Sequence, residues 1–165
     1  MCCAPTLGMD MATARDRLID SLVANDIITK SSTAEAMRAV PRHRFVDDEH
    51  QEQAYQDRPL PIGNDQTISA PHMVGHMVDL LDVDPGDRVL EIGTGCGYHA
   101  AVTGEIVGDG NVFSVEYDPD LGEAARQRLA DLGYDVAVRI ADGREGWPDE
   151  APFDASYLTC EAAEP

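Results

Sequence analysis

Val89-Leu90-Glu91-Ile92-Gly93-Thr94-Gly95-Cys96-Gly97-Tyr98 reads as a short apolar strand that runs into a glycine-rich turn and then into an alanine-rich helix. Glycines at such a junction let the backbone turn sharply and come close to a ligand. Their spacing narrows the choice of ligand. A dinucleotide site needs Gly-x-Gly-x-x-Gly to seat a pyrophosphate on a helix N-terminus. Here the pattern is Gly-x-Gly-x-Gly with Glu91 just ahead of it, and a carboxylate sits poorly beside a pyrophosphate. It suits a ligand with a cationic amino-acid end. About twenty residues beyond the loop a second strand ends at Val115-Glu116, where an acid can accept hydrogen bonds from both hydroxyls of a ribose. Ala141-Asp142-Gly143 closes a third strand in the same way; as an isolated Asp-Gly pair it would be no more than a turn.

Outward from this stretch, strands and helices alternate. Strands are expected over 88–92, 111–116, 135–140 and 153–159, with helices over the alanine-rich run after Gly97 and over 119–132. Such alternation implies βαβ units and a mostly parallel sheet, so the fold class is α/β. Upstream, apolar residues recur at helical spacing over 11–25, and a second helix is expected over 33–40 with Ser32 or Thr33 as its N-cap and Pro41 as its stop. Residues 47–65 read as a polar segment broken by Pro59, Pro61 and Gly63. Pro71 suits the first turn of a helix whose apolar face is Met73, Val74, Met77, Leu80 and Leu81. Ser69, two residues before Pro71, is either a helix cap or a site residue on this reading. Residues 1–10 are expected to be disordered, with Met9 or Met11 as alternative starts.

Three further stretches name a family. Val40-Pro41-Arg42-His43-Arg44-Phe45-Val46, Ala54-Tyr55-Gln56-Asp57-Arg58-Pro59-Leu60-Pro61-Ile62-Gly63 and above all Asp65-Gln66-Thr67-Ile68-Ser69-Ala70-Pro71-His72-Met73 resemble the protein-L-isoaspartate O-methyltransferases. The glycine loop resembles that of class I S-adenosylmethionine methyltransferases generally. The resemblance runs from about residue 11 to about residue 159. It implies a Rossmann-like fold with strands in the order 3-2-1-4, counted from Arg88, behind an N-terminal helical segment. It divides the chain into a helical, substrate-side segment (11–65) and a cofactor-binding core (66–165). The implied reaction is S-adenosylmethionine-dependent methylation of the abnormal carboxylate of L-isoaspartyl residues in aged proteins. The ester then collapses to a succinimide that can reopen as normal aspartate. By position, Ser69 matches the family's active-site serine, and Thr67 and His72 belong to the same substrate-side motif. Glu91, Gly93, Thr94, Gly95, Gly97, Glu116, Asp142 and Gly143 match the cofactor positions. Little acid–base work is implied, because a carboxylate is already ionised near neutral pH. Ser69 is therefore expected to orient the substrate carboxylate and not to act as a nucleophile.

Composition limits the partners. With 31 acidic residues against 12 basic ones, the 165-residue chain carries a net charge of −19, and Lys30 is its only lysine. Such a field disfavours nucleic acid and anionic membranes. It reads as a halophilic, carboxylate-dense surface; a surface for a basic partner is the alternative. No stretch is apolar enough to span a membrane, and no signal peptide is evident. Cys2, Cys3, Cys96 and Cys160 show no Cys-x-x-Cys pairing, so a metal site is not expected and cytoplasmic free thiols are. Arg42, His43 and Arg44 form a basic island, either to attract a carboxylate or to pair with Asp47, Asp48 and Glu49.

The sequence departs from the family's pattern at Cys96 and His99, and at its end. After Thr159 the family continues into a helix and further strands that complete a seven-stranded sheet, whereas this chain reads Cys160-Glu161-Ala162-Ala163-Glu164-Pro165. The expectation is a partial sheet with all cofactor motifs present and an open substrate cleft. The alternatives to an active enzyme are a non-catalytic cofactor-binding remnant and another class I methyltransferase with a small-molecule substrate.

Overall fold

The computed structural model describes residues 10–160; the expectation of a disordered start falls almost entirely outside them, as do Cys2 and Cys3. Two helices open the described chain, α1 (Met11–Ala24) and α2 (Ser31–Ala39). A hairpin of β1 (Leu60–Gly63) and β2 (Gln66–Ile68) leads into α3 (Pro71–Leu81). The alternating half follows: β3 (Val89–Ile92), α4 (Tyr98–Val107), β4 (Val112–Glu116), α5 (Pro119–Leu132), β5 (Val136–Ile140) and β6 (Ala155–Leu158).

The four later strands form one parallel sheet in the order β5-β4-β3-β6. This is the order 3-2-1-4 that the family resemblance implies. Every residue of β4 is buried, as befits a central strand covered on both faces. Asp118 caps α5 by accepting from the amides of Asp120 (2.9 Å) and Leu121 (3.1 Å), and Pro119 occupies the first turn. The αL residue Gly133 ends that helix.

Three local expectations need correction. Helix α2 begins at Ser31, its N-cap is Lys30 with no side-chain cap, and Thr33 is buried inside the helix. The segment 47–65, read as polar and broken by Pro59, Pro61 and Gly63, carries regular structure despite its breakers. It holds a 3-10 turn (Asp48–Gln53) and strand β1, whose hairpin with β2 closes through Asn64 and Asp65, both in the left-handed region. That is the geometry of a tight hairpin turn, which Asn and Asp adopt more readily than other residues. Ser69 is not a helix cap: the N-cap of α3 is Ala70, and no side chain bonds there.

The main core joins the two halves of the chain. Ile19, Leu22, Ile28, Met37, Val40 and Phe45 pack with Tyr98, Val102, Leu129 and Val138. Phe45 meets the Tyr98 ring edge-on at a centroid distance of 5.6 Å. Gly75 makes this packing possible for α3, because a Cβ there would lie 2.7 Å from Ile28 Cγ1 and 3.2 Å from Met37 Sδ. Gly75→Val should therefore force these side chains apart and cost about 1–3 kcal/mol, as overpacking does. A urea midpoint unchanged from wild type would show that the contact is loose.

Candidate active site

The segment from Arg42 to Ser69 is fixed by a buried cation. Arg42 is 1% exposed. Its guanidinium donates to the carbonyls of Ala54, Arg58 (3.1 Å) and Ser69 (3.2 Å) and lies 5.9 Å from the centroid of the Tyr98 ring. Its bonded partners are thus three backbone carbonyls from two segments, Ala54–Arg58 and Ser69. Neither reading of the basic island holds for this residue: it is closed off from a substrate, and it does not pair with Asp47, Asp48 or Glu49. His43 instead bonds Tyr55 Oη through Nδ1 (2.8 Å).

His72 is oriented by Asp57. One carboxylate oxygen, Oδ1, accepts both the His72 amide and its Nδ1–H, each at 2.9 Å. Because a carboxylate only accepts, this bond places the proton on Nδ1 and leaves Nε2 bare in the neutral ring. His72 is 44% exposed at its side chain and stands outside the cleft described below.

Glu91 is fully buried in the middle of the sheet. Its register partners are Ser114 on β4 and Tyr157 on β6. Both donate to it: Ser114 Oγ to one oxygen, Tyr157 Oη to the other at 3.1 Å. The chain continues from Ser114 Oγ to Thr94 Oγ1 (2.6 Å) and from Tyr157 Oη to Thr103 Oγ1 (3.0 Å). Burial pushes the Glu91 carboxyl up to about 8, against the pull of its two hydroxyl donors. The carboxyl is therefore largely protonated at neutral pH. The structure does not bring Glu91 to the wall of the cleft, contrary to the expectation that it faces a cationic ligand end; its hydroxyl chain reaches the loop at Thr94 instead.

Gly93 leaves β3 with φ +99°, and a Cβ there would lie 2.5 Å from Thr159 Oγ1. The Thr159 hydroxyl, just beyond β6, donates to the Gly93 carbonyl. At the end of β4, Glu116 accepts from the Gly95 amide (2.8 Å) and the Asp118 amide (3.1 Å). It is 9% exposed, and each oxygen retains capacity for a further donor such as a ribose hydroxyl. Asp142 accepts from the backbone and guanidinium of Arg144, which hold its carboxyl down to about 2. Tyr117, beside Glu116, is 78% exposed and offers an uncovered aromatic face.

A narrow cleft runs between the substrate-side and loop segments. Thr67, Ile68 and Ser69 line one side, and Gly93, Thr94, Gly95, Cys96 and Thr159 the other, with Tyr98 and His99 from the start of α4. Of the residues expected from sequence, Thr67, Ser69, Gly93, Thr94 and Gly95 meet there. Glu116, Asp142 and Gly143 follow the C-terminal ends of β4 and β5, the edge of a parallel sheet where ligands bind. Asp57, Arg144, Ser114, Tyr157 and Thr159 are not singled out as site residues by sequence reasoning, and Arg42 and His99 enter it only as part of a basic island and as a departure from the family's pattern. The pairing of Ser114 with Glu91 depends on strand register, which local spacing does not show.

These residues fit a nucleoside that carries an amino-acid end: an acid for the ribose, a glycine turn that a Cβ would fill, and unmet polar groups beside it. Sheet order, loop and acid together define a class I S-adenosylmethionine methyltransferase fold. A model of the family Protein-L-isoaspartate(D-aspartate) O-methyltransferase (PCMT) matches residues 13–165. Protein-L-isoaspartate O-methyltransferase 2 of Archaeoglobus fulgidus is 53% identical over 93% of this chain and 71% of its own length. The enzyme of Ignicoccus hospitalis is 49% identical over 92% of this chain and 73% of its own. A solved protein-L-isoaspartate O-methyltransferase superposes with TM-score 0.79 at 30% identity, over 88% of this chain and 47% of that one. The chain belongs to the protein-L-isoaspartate O-methyltransferase family, and it spans about half the length of that solved relative and about 70% of the two curated ones.

The Glu91 carboxyl gives a signed test. Its folded value lies above the ordinary 4.5, so its contribution to stability is complete below that value and is lost as pH rises through about 8. Wild-type stability should fall relative to Glu91→Gln between about pH 5 and about pH 8. Parallel urea-unfolding curves for the two proteins across that range would show that Glu91 does not titrate in this window.

Proposed function

We propose that this chain methylates the free carboxylate of L-isoaspartyl residues in damaged proteins, with S-adenosylmethionine as methyl donor. The observation that carries this reading is the cleft in which Thr67 and Ser69 face Gly93, Thr94 and Gly95. A substrate carboxylate on one wall would meet a donor on the other. The bound cofactor supplies an electrophilic methyl group on a sulfonium. The chain's own residues supply position: Glu116 holds a ribose, the glycine turn admits the close approach, and Asp142 and Gly143 flank an adenine. Glu91 acts through the loop it precedes. Ser69, its backbone held by Arg42, donates to the substrate carboxylate and aims one oxygen at the methyl. Alignment of this kind is a sufficient source of rate for a reaction that needs no separate base. His72 and Asp57 stand on the substrate side outside the cleft. Residues 11–65 then serve mainly the substrate and residues 66–165 the cofactor. The isoaspartyl-specific segment favours this reading over a small-molecule methyltransferase. Among the described residues no group of three or more metal-ligating side chains occurs, and no helix is long and apolar enough to cross a membrane.

The surface supports two further proposals. The net charge of −19 suits a halophilic, carboxylate-dense surface and disfavours nucleic acid and anionic membranes as partners. The free thiols of Cys96 and Cys160 suit a reducing, cytoplasmic compartment.

Two experiments test these readings. Methyl transfer from labelled S-adenosylmethionine to an isoaspartyl peptide should be detectable, and Ser69→Ala should reduce it about tenfold to a hundredfold, the usual worth of a hydrogen bond to a charged group. Calorimetric binding of the cofactor without transfer would leave only a cofactor-binding remnant. For the surface, the melting temperature should rise between roughly 0.1 M and roughly 3 M potassium chloride as carboxylate repulsion is screened. Full stability at low salt with no gain at high salt would remove the halophile reading.

A further inference from the structure

His99 occupies the first turn of α4, directly behind the glycine loop, and is 7% exposed. Its ring lies against Tyr157 with centroids 4.5 Å apart. Neither Nδ1 nor Nε2 has a hydrogen-bond partner. Buried polar side chains are nearly always satisfied, so an imidazole with both nitrogens unmet calls for an explanation. The fold supplies no partner. The cleft reaches the residue, which lines it together with Thr67, Ser69, Gly93 and Thr159, while both ring nitrogens lie just beneath its surface, so a bound ligand meets one of them by a small shift of the ring or its neighbours.

We infer that His99 is a ligand-contacting residue whose imidazole N–H donates to a carboxylate bound in this cleft. The inference rests on the methyltransferase reading above, which brings two carboxylates to the cleft: that of the cofactor's amino-acid end and that of the isoaspartyl substrate. The position of the ring selects a carboxylate over an ammonium group: it lies at the N-terminus of a ten-residue helix, where the backbone dipoles favour negative charge. Burial lowers the imidazole to about 3, so the ring is neutral and offers one N–H donor. The two acids that bond into this region are already engaged, Glu91 by Ser114 and Tyr157 and Glu116 by the Gly95 and Asp118 amides. The Tyr157 face against the ring fixes the plane in which the N–H is offered.

The test uses the full chain with S-adenosylhomocysteine, 5′-methylthioadenosine and an isoaspartyl peptide. His99→Leu removes the donor at similar volume, and His99→Gln retains one. Loss of a hydrogen bond to a charged group weakens binding about tenfold to a hundredfold. If the cofactor's carboxylate is the partner, His99→Leu weakens S-adenosylhomocysteine by that factor in calorimetry and leaves 5′-methylthioadenosine, which has no amino-acid end, unchanged. If the substrate's carboxylate is the partner, S-adenosylhomocysteine affinity is retained and the KM for the peptide rises instead. In either case His99→Gln recovers most of the loss, and His99→Leu melts no lower than wild type because an unmet polar group has gone. Equal weakening of both nucleosides, or no change in either affinity or in KM, overturns the inference and leaves His99 a packing residue. Should His99→Leu not fold, His99→Phe serves as the second apolar variant under the same outcomes. A wild-type chain that binds no S-adenosylhomocysteine overturns the proposed function itself, a result separate from any difference between variants.

Discussion

The carboxyl of Glu91 is the point on which the sheet is registered. Its strand neighbours in register are Ser114 and Tyr157, and each gives it a hydroxyl. A one-residue slip of β4 or β6 would put these hydroxyls on the opposite face and leave an acid buried without donors. The same chain of hydroxyls extends to Thr94 on the glycine loop and to Thr103 on α4. One buried acid thus couples three strands, the helix above them and the glycine turn. Burial raises the acid well above the ordinary carboxyl range, against the pull of its two hydroxyl donors.

Arg42 does for the substrate side what Glu91 does for the sheet. It is a buried cation whose terminal nitrogens donate to three carbonyls, those of Ala54, Arg58 and Ser69. Carbonyl dipoles stabilise a guanidinium well when several converge on its fork of donors. The result is that the Ser69 backbone is anchored to the main core through Tyr98, the residue that also begins α4. The two walls of the cleft are therefore tied to one helix start, which limits how far they can move apart. Asn64 adds an outer tie, donating to Asp118 (2.9 Å) at the cap of α5 and so linking the β1–β2 hairpin to the end of β4.

The alternating half of the chain was legible because it is locally consistent. The helix over Pro119–Leu132 carries its own start and stop in Asp118, Pro119 and Gly133. The strands are short apolar runs between turn formers, and their alternation with helices leaves few sheet orders. The first half was less legible. The hairpin at Leu60–Ile68 is only a few residues per strand and includes Pro61, so no periodicity announces it, and the left-handed turn at Asn64 and Asp65 emerges only in the fold. The α2 boundary was misplaced because Thr33, a good cap by type, is buried by packing.

For the site, the sequence by itself determined which residues leave the ends of the strands: Gly93, Thr94, Gly95, Glu116, Asp142 and Gly143. Local chain geometry requires those residue types at those places. It also determined the family, through motifs carried on contiguous segments. Only the tertiary structure decided what each polar side chain touches. It turned Glu91 away from the cleft into the sheet and took Arg42 out of the basic island to make it a buried clamp. It also joined Asp57 to His72 and left His99 without a partner at the meeting point of the two walls. These outcomes depend on strand register and on contacts between residues some 15 to 66 positions apart, which no local spacing encodes.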